Sequence, residues 1–141
     1  MQLKLQRFGW CVGFLALATI ALAAPDSPTS STEKARQASS TLQSNAPGEE
    51  KAMACKRLAV YGHAEAVPAL APLLADEKLA SWSRIALEAI PGSAADKALR
   101  EALTKLQGKL LVGVINSIGV RRDPKAVNAL TAMMRRVRRP N

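Results

Sequence analysis

ACKRLAVYGHAEAVPALAPLLADEKLASWSRIALEAIPGSAADKALREALTKL, residues 54–106, decides the fold. Its apolar residues recur at steps of three and four, the period of a helix face, and each stripe breaks at Gly or Pro. Ala54, Leu58 and Tyr61 share one face, which Gly62 ends. Ala66, Val67, Leu70, Leu73 and Leu74 form the next stripe, stopping near Asp76. Leu79 to Ile90 follows, closed by Pro91 and Gly92, and then Ala94 to Leu106, closed by Gly108. The same period runs on through Lys109 to Ile118, closed by Gly119, and from Asp123 to about Arg136. The reading is six helices joined by short turns. Only LLVGVI at 110–115 hints at a strand, through its β-branched residues. Its flanks decide for helix, because Leu111, Val114, Ile115 and Ile118 keep the helical spacing.

The pattern can be laid over itself, which marks a repeat architecture. Leu58, Tyr61, Gly62, Leu70 and Leu74 recur 29 residues later as Leu87, Ile90, Pro91, Leu99 and Leu103. A further step of 28 takes Leu87, Ile90 and Pro91 to Ile115, Ile118 and Gly119, and three extra residues in the third turn then carry Leu99 and Leu103 to Leu130 and Met134. The units are 49–76, 77–107 and 108–137, each helix, tight turn, helix. Such a pair buries its apolar face only against neighbouring pairs, so about three units are the minimum for stability.

GHAEAVPALAPLLADE and VRRDPKAVNALTAMM resemble the second helix of short bacterial HEAT-type repeats: a Gly-ended helix, then AVPxL and a Leu-Leu pair before Asp. The run from ACKRLAVYG to GKLLVGVINSIGVRRD resembles exported bacterial HEAT-repeat proteins of the phycobilisome-lyase-like kind. The resemblance implies an all-α, short right-handed α-solenoid of about three HEAT-type helix pairs, with the second helix of each pair lining the concave side. Arrays of that family run on through further repeats, whereas this chain stops in RRVRRPN, its last helix ending with Met133, Met134 and Val137 among arginines, which reads as a truncated array with an uncapped last repeat. That end would be partly exposed, meet a partner, or associate end to end with another copy.

The flanks of the array differ from it in composition. Residues 1–23 have a basic start (Lys4, Arg7), an apolar run from Trp10 to Leu22 and the small-residue triplet Ala21-Leu22-Ala23, the layout of a secretory signal peptide cleaved after Ala23. The apolar run is shorter than a spanning helix needs, and retention as an anchor is the alternative. The expected location is therefore the periplasm or cell envelope. One cysteine, Cys55, remains after cleavage, so the domain must fold without an internal disulfide. Residues 24–47, rich in Ser, Thr, Pro and Gln, read as a disordered linker in which Thr32 would cap a weak helix over Glu33–Gln43. The chain's charge of +9 is unevenly placed, since Arg121, Arg122, Lys125, Arg135, Arg136, Arg138 and Arg139 face Asp123 alone in the last 21 residues. Residues 138–141 form a basic tail.

No residue set for chemistry emerges. One His and one Cys in the mature chain, His63 and Cys55, do not make a metal site or a nucleophile pair, and the simpler reading is a small core residue and a turn residue helping to cap the next helix. Asp76 and Asp96 read as helix-start residues, and Glu101 with Lys105 as an i,i+4 pair. There is no phosphate-binding glycine loop or nucleophile elbow. The expectation is a protein without catalytic residues, metal or cofactor. The arginine-rich end lacks an aromatic for base stacking, so nucleic acid is not the expected partner, while an anionic membrane surface is an alternative for it. The favoured function is a protein-interaction scaffold for an acidic protein or peptide, steered by charge. A second alternative is the accessory repeat region of a larger envelope enzyme or electron-transfer protein. The expected contact residues are Lys97, Arg100, Lys105, Lys125, Asn128, Arg135, Arg136, Arg138 and Arg139, with Glu65, Ala69, Glu101 and Thr131 also facing outward.

Overall fold

A computed structural model of the chain describes residues 28–138, so the expected signal peptide and residues 139–141 lie outside the described residues. The described chain is all helical: α1 (Pro28–Gln43), α2 (Gly48–Tyr61), α3 (Val67–Leu70), α4 (Ala80–Ala89), α5 (Ser93–Leu103), α6 (Gly108–Arg121) and α7 (Val127–Arg138). Short 3₁₀ segments lie at Ala64–Ala66, Ala71–Ala75 and Pro124–Ala126. Helices α2, α4 and α6 pack in succession as one layer, and α3, its following 3₁₀ segment and α5 form the layer behind them. Helix α1 covers α2 and α3 at one end. At the other, α7 leans Leu130 and Met133 on the core. No helix among the described residues is long and apolar enough to cross a membrane.

The core is one cluster, and the leucines of the sequence pattern sit in it: Leu58, Leu70, Leu87 and Leu99 are fully buried. Burial also fixes the register of the third pair, and it corrects the sequence reading. Ala66, Ala95 and Ala126 are buried at spacings of 29 and 31, as are Leu58, Leu87 and Ile118. Ile115, which the step of 28 made a core residue, is exposed. The added residues therefore fall between α5 and α6, not in the turn after α6. Helix α6 also runs through Gly119, which has open space around it. It ends instead at Arg122, which has the left-handed φ of 53°. There the Arg122 and Asp123 amides donate to the carbonyls of Gly119 and Ile118, a Schellman closure that satisfies two end carbonyls.

Two further expectations change. The segment 24–47 read as a disordered linker with a weak helix over 33–43. It holds instead a 16-residue helix starting at Pro28, with Thr32 a turn inside it. Pro suits the first helical position because its missing N–H would be unpaired there anyway. Ala35, Ala38 and Leu42, at steps of three and four, are buried in the core cluster, and tertiary packing supplies what weak propensity lacks. The second helix of the first pair is not continuous either. Pro68 and Pro72 stand one turn apart and remove two amide donors, leaving a four-residue α-helix between 3₁₀ segments.

Candidate functional site

The surface expected to bind lies on the second helices. On α5, Ala95, Leu99, Ala102 and Leu103 turn inward, which leaves Lys97, Glu101 and, just beyond the helix, Lys105 exposed. Between α5 and the proline-broken segment runs an open groove of about 300 Å³, floored by Leu74 and Ala102 and edged by Pro68, Pro72, Glu101 and Lys105. Six of its lining residues, Pro68, Ala71, Pro72, Ala75, Ala98 and Ala102, have no side-chain rotamer freedom to lose on contact, whereas Glu101 and Lys105 at its edge do. Lys97 lies 3.9 Å from Glu101, so the i,i+4 pair formed on this face is Lys97–Glu101 and not the expected Glu101–Lys105. It is an exposed pair and contributes little to stability. Further along, Lys125, Asn128, Arg135 and Arg138 are exposed and Thr131 is half-buried. Arg136 belongs to α7, and Arg139 lies outside the described residues. Glu65 is exposed as expected, but Ala69 is buried, because the 3₁₀ turn at Ala64–Ala66 rotates the start of α3.

Arg100 is the clearest correction to the contact set. Its guanidinium is ion-paired with Asp123, whose side chain is 4% exposed. Asp96, expected to cap α5, is ion-paired with Arg121 instead. The two bridges are reciprocal, since α5 supplies one acid and one base to the base and acid at the end of α6. Arg121 does more. Its Nη1 lies 2.8, 3.0 and 2.7 Å from the carbonyl oxygens of Leu87, Glu88 and Ile90, and Nη2 donates to that of Gly92. A cation is thus set against the negative end of α4, where helix carbonyls have no partner within the helix. A second polar contact joins α4 to α6: Arg84 Nη1 donates to Gly113 O at 3.1 Å, and Ser117 Oγ lies 2.6 Å from Glu88 Oε1. Gly113 permits this approach, because a Cβ there would meet the Arg84 guanidinium at 2.8 Å.

No family model, curated protein or solved structure matches this chain. Function therefore rests on the chain's own geometry.

The chemistry of that geometry is sparse. Among the described residues no three of His, Cys, Asp and Glu come together where a metal ion could sit. His63 occupies the position before the Ala64–Ala66 turn but does not cap it, and its Nδ1 is 3.0 Å from Tyr61 O. Asp76 does act at a helix start, its Oδ1 accepting from the amides of Lys78 and Leu79. Cys55 is wholly buried, and burial pushes its thiol up to about 11, the direction opposite to that of a nucleophile. Sequence reading missed the groove, whose signal was the Pro68/Pro72 spacing. It also missed the outer face of α6, whose signal was Val112, Ile115 and Val120 on the side away from Val114 and Ile118.

Proposed function

We propose that this chain is a non-enzymatic interaction module: a short right-handed α-solenoid of three HEAT-type helix pairs, exported to the cell envelope, that scaffolds an acidic protein or peptide. The observation that carries this reading is the groove between α5 and the proline-broken segment, with Lys105 and Glu101 at its edge and Lys97 set beside Glu101 on the exposed face of α5. An extended apolar segment with acidic neighbours fits it by shape and by charge steering. Arg100 leaves the contact set proposed from sequence, since its charge is committed to Asp123. Export is supported by the layout of residues 1–23, and the repeat reading by the 29-residue recurrence of Leu58, Leu70 and Leu74.

The test fills the groove. Ala98→Trp, at a half-buried lining position, would be compared with the unaltered chain by in-cell cross-linking in a bacterial host. The expected result is loss of the cross-linked partner with an unchanged helical circular dichroism spectrum and unfolding midpoint. An unchanged cross-linking pattern would refute the groove as the binding surface. Fractionation with N-terminal sequencing of the same material checks export, for which a mature start at Ala24 is the expected outcome.

A further inference from the structure

Helix α6 carries apolar side chains on two faces, one against the core and one outward, with Asn116 the polar residue within the outward one. Val114 and Ile118 face the core, while Val112 and Val120 stand 66% and 57% exposed with Ile115 beside them. These three span about 12 Å of helix at 1.5 Å per residue. Helix α7 adds Val127 and Met134, 57% and 65% exposed. The same part of the chain carries exposed Lys109, Arg122, Lys125, Arg135 and Arg138. The one acid between residues 108 and 138 is Asp123, already paired with Arg100.

Charge selects the occupant. A second copy joined by a two-fold axis would press two basic rims together, a like-charge juxtaposition that costs stability. Head-to-tail stacking would set the apolar face on α1, whose outer side is Glu33, Arg36, Gln37, Ser40 and Gln43. That side offers nothing apolar to bury. An anionic bilayer suits the charge, but membrane-surface helices insert bulky Trp, Phe or Leu, and this face carries valines, one isoleucine, Asn116 and Gly119. We propose that the outward face of α6 docks an amphipathic helix of another protein, apolar at i, i+3 or i+4 and i+7 and flanked by Asp or Glu. This rests on the reading that the chain works by binding proteins, but it uses a different surface from the groove.

The probe is a synthetic peptide of about 18 residues, long enough to complete its helix on binding. It carries a leucine stripe flanked by glutamates, and its counterpart carries lysine at every glutamate. Fluorescence anisotropy with the full chain should show binding of the glutamate peptide only, weakened by salt, and at least tenfold weaker for the Val112→Asp/Val120→Asp variant. Ala98→Trp should bind the peptide as the unaltered chain does. If that groove variant loses its cellular partner while no peptide binds, the end-docking proposal fails and the scaffold reading stands. If the peptide binds but the groove variant loses nothing, the reverse holds. Equal binding of the lysine peptide, or no effect of the double variant, overturns the proposal. So does a dimer in sedimentation, or retention on phosphatidylglycerol vesicles, that Val112→Asp abolishes.

Discussion

The two ends of this helical stack are finished differently. At the first, α1 presses Ala35, Ala38 and Leu42 onto α2 and α3 and shows solvent a row of polar side chains, covering the core side of the first pair while Met53 and Val60 of α2 stay exposed. At the last, α6 keeps an apolar face outward inside a basic rim. The capped end does the work of stability. Among the described residues the second, open end leaves an apolar face in solvent, and it is there that the proposal places a partner helix.

Mutations can break this contrast, and the largest effect is expected at the closed end. Ala38→Asp would bury an unpaired carboxylate under α1, at a cost on the order of 4 kcal/mol. Urea unfolding followed by circular dichroism should show either a much lower midpoint or loss of the helical signal. A midpoint close to that of the unaltered chain would mean that α1 is not a cap. Next comes Arg121→Ala, which strips the end of α4 of its cation and orphans Asp96, at about 3 kcal/mol. An effect confined to α6 and α7 by hydrogen exchange, with α4 unchanged, would deny that the guanidinium joins the pairs.

Cys55 gives a smaller, pH-resolved effect near the closed end. Its folded thiol is held above the ordinary value of 9.0, at about 11, by burial. The fold favours the neutral thiol, so the associated stability is complete below pH 9 and declines as pH rises from about 9 towards about 11, by roughly 2 kcal/mol. Cys55→Ala should flatten that part of the pH profile relative to the unaltered chain. Parallel profiles would show that the thiol reaches water. The smallest effect belongs to the open end: Val112→Asp should shift stability by less than ~0.5 kcal/mol. A large loss of stability would mean that α6 is covered on its outer side.

Most of the buried skeleton could be read from residue order. Leu58, Leu70, Leu87, Leu99 and Leu103 mark core faces because large aliphatics at helical spacing have few other uses. Helix α1 was harder, since its buried stripe is two alanines and one leucine in a field of Ser, Thr and Gln. The third pair lost its register because α6 offers two apolar faces, and periodicity alone cannot say which one turns inward. Of the candidate site, the exposed lysines at 97, 105 and 125 were legible. The withdrawal of Arg100 was not, because Asp123 meets it only after α5, α6 and the following turn have come together.

The Arg121 guanidinium has a consequence for cooperativity. Its hydrogen bonds reach back across 25 to 34 residues, whereas most contacts in a helical stack join near neighbours in the chain. Fraying of α6 from the open end must therefore break the clasp on α4 at the same time. Helix α6 and the end of α4 should open together, so that the outward face of α6 is carried on the same block as α4 and α5.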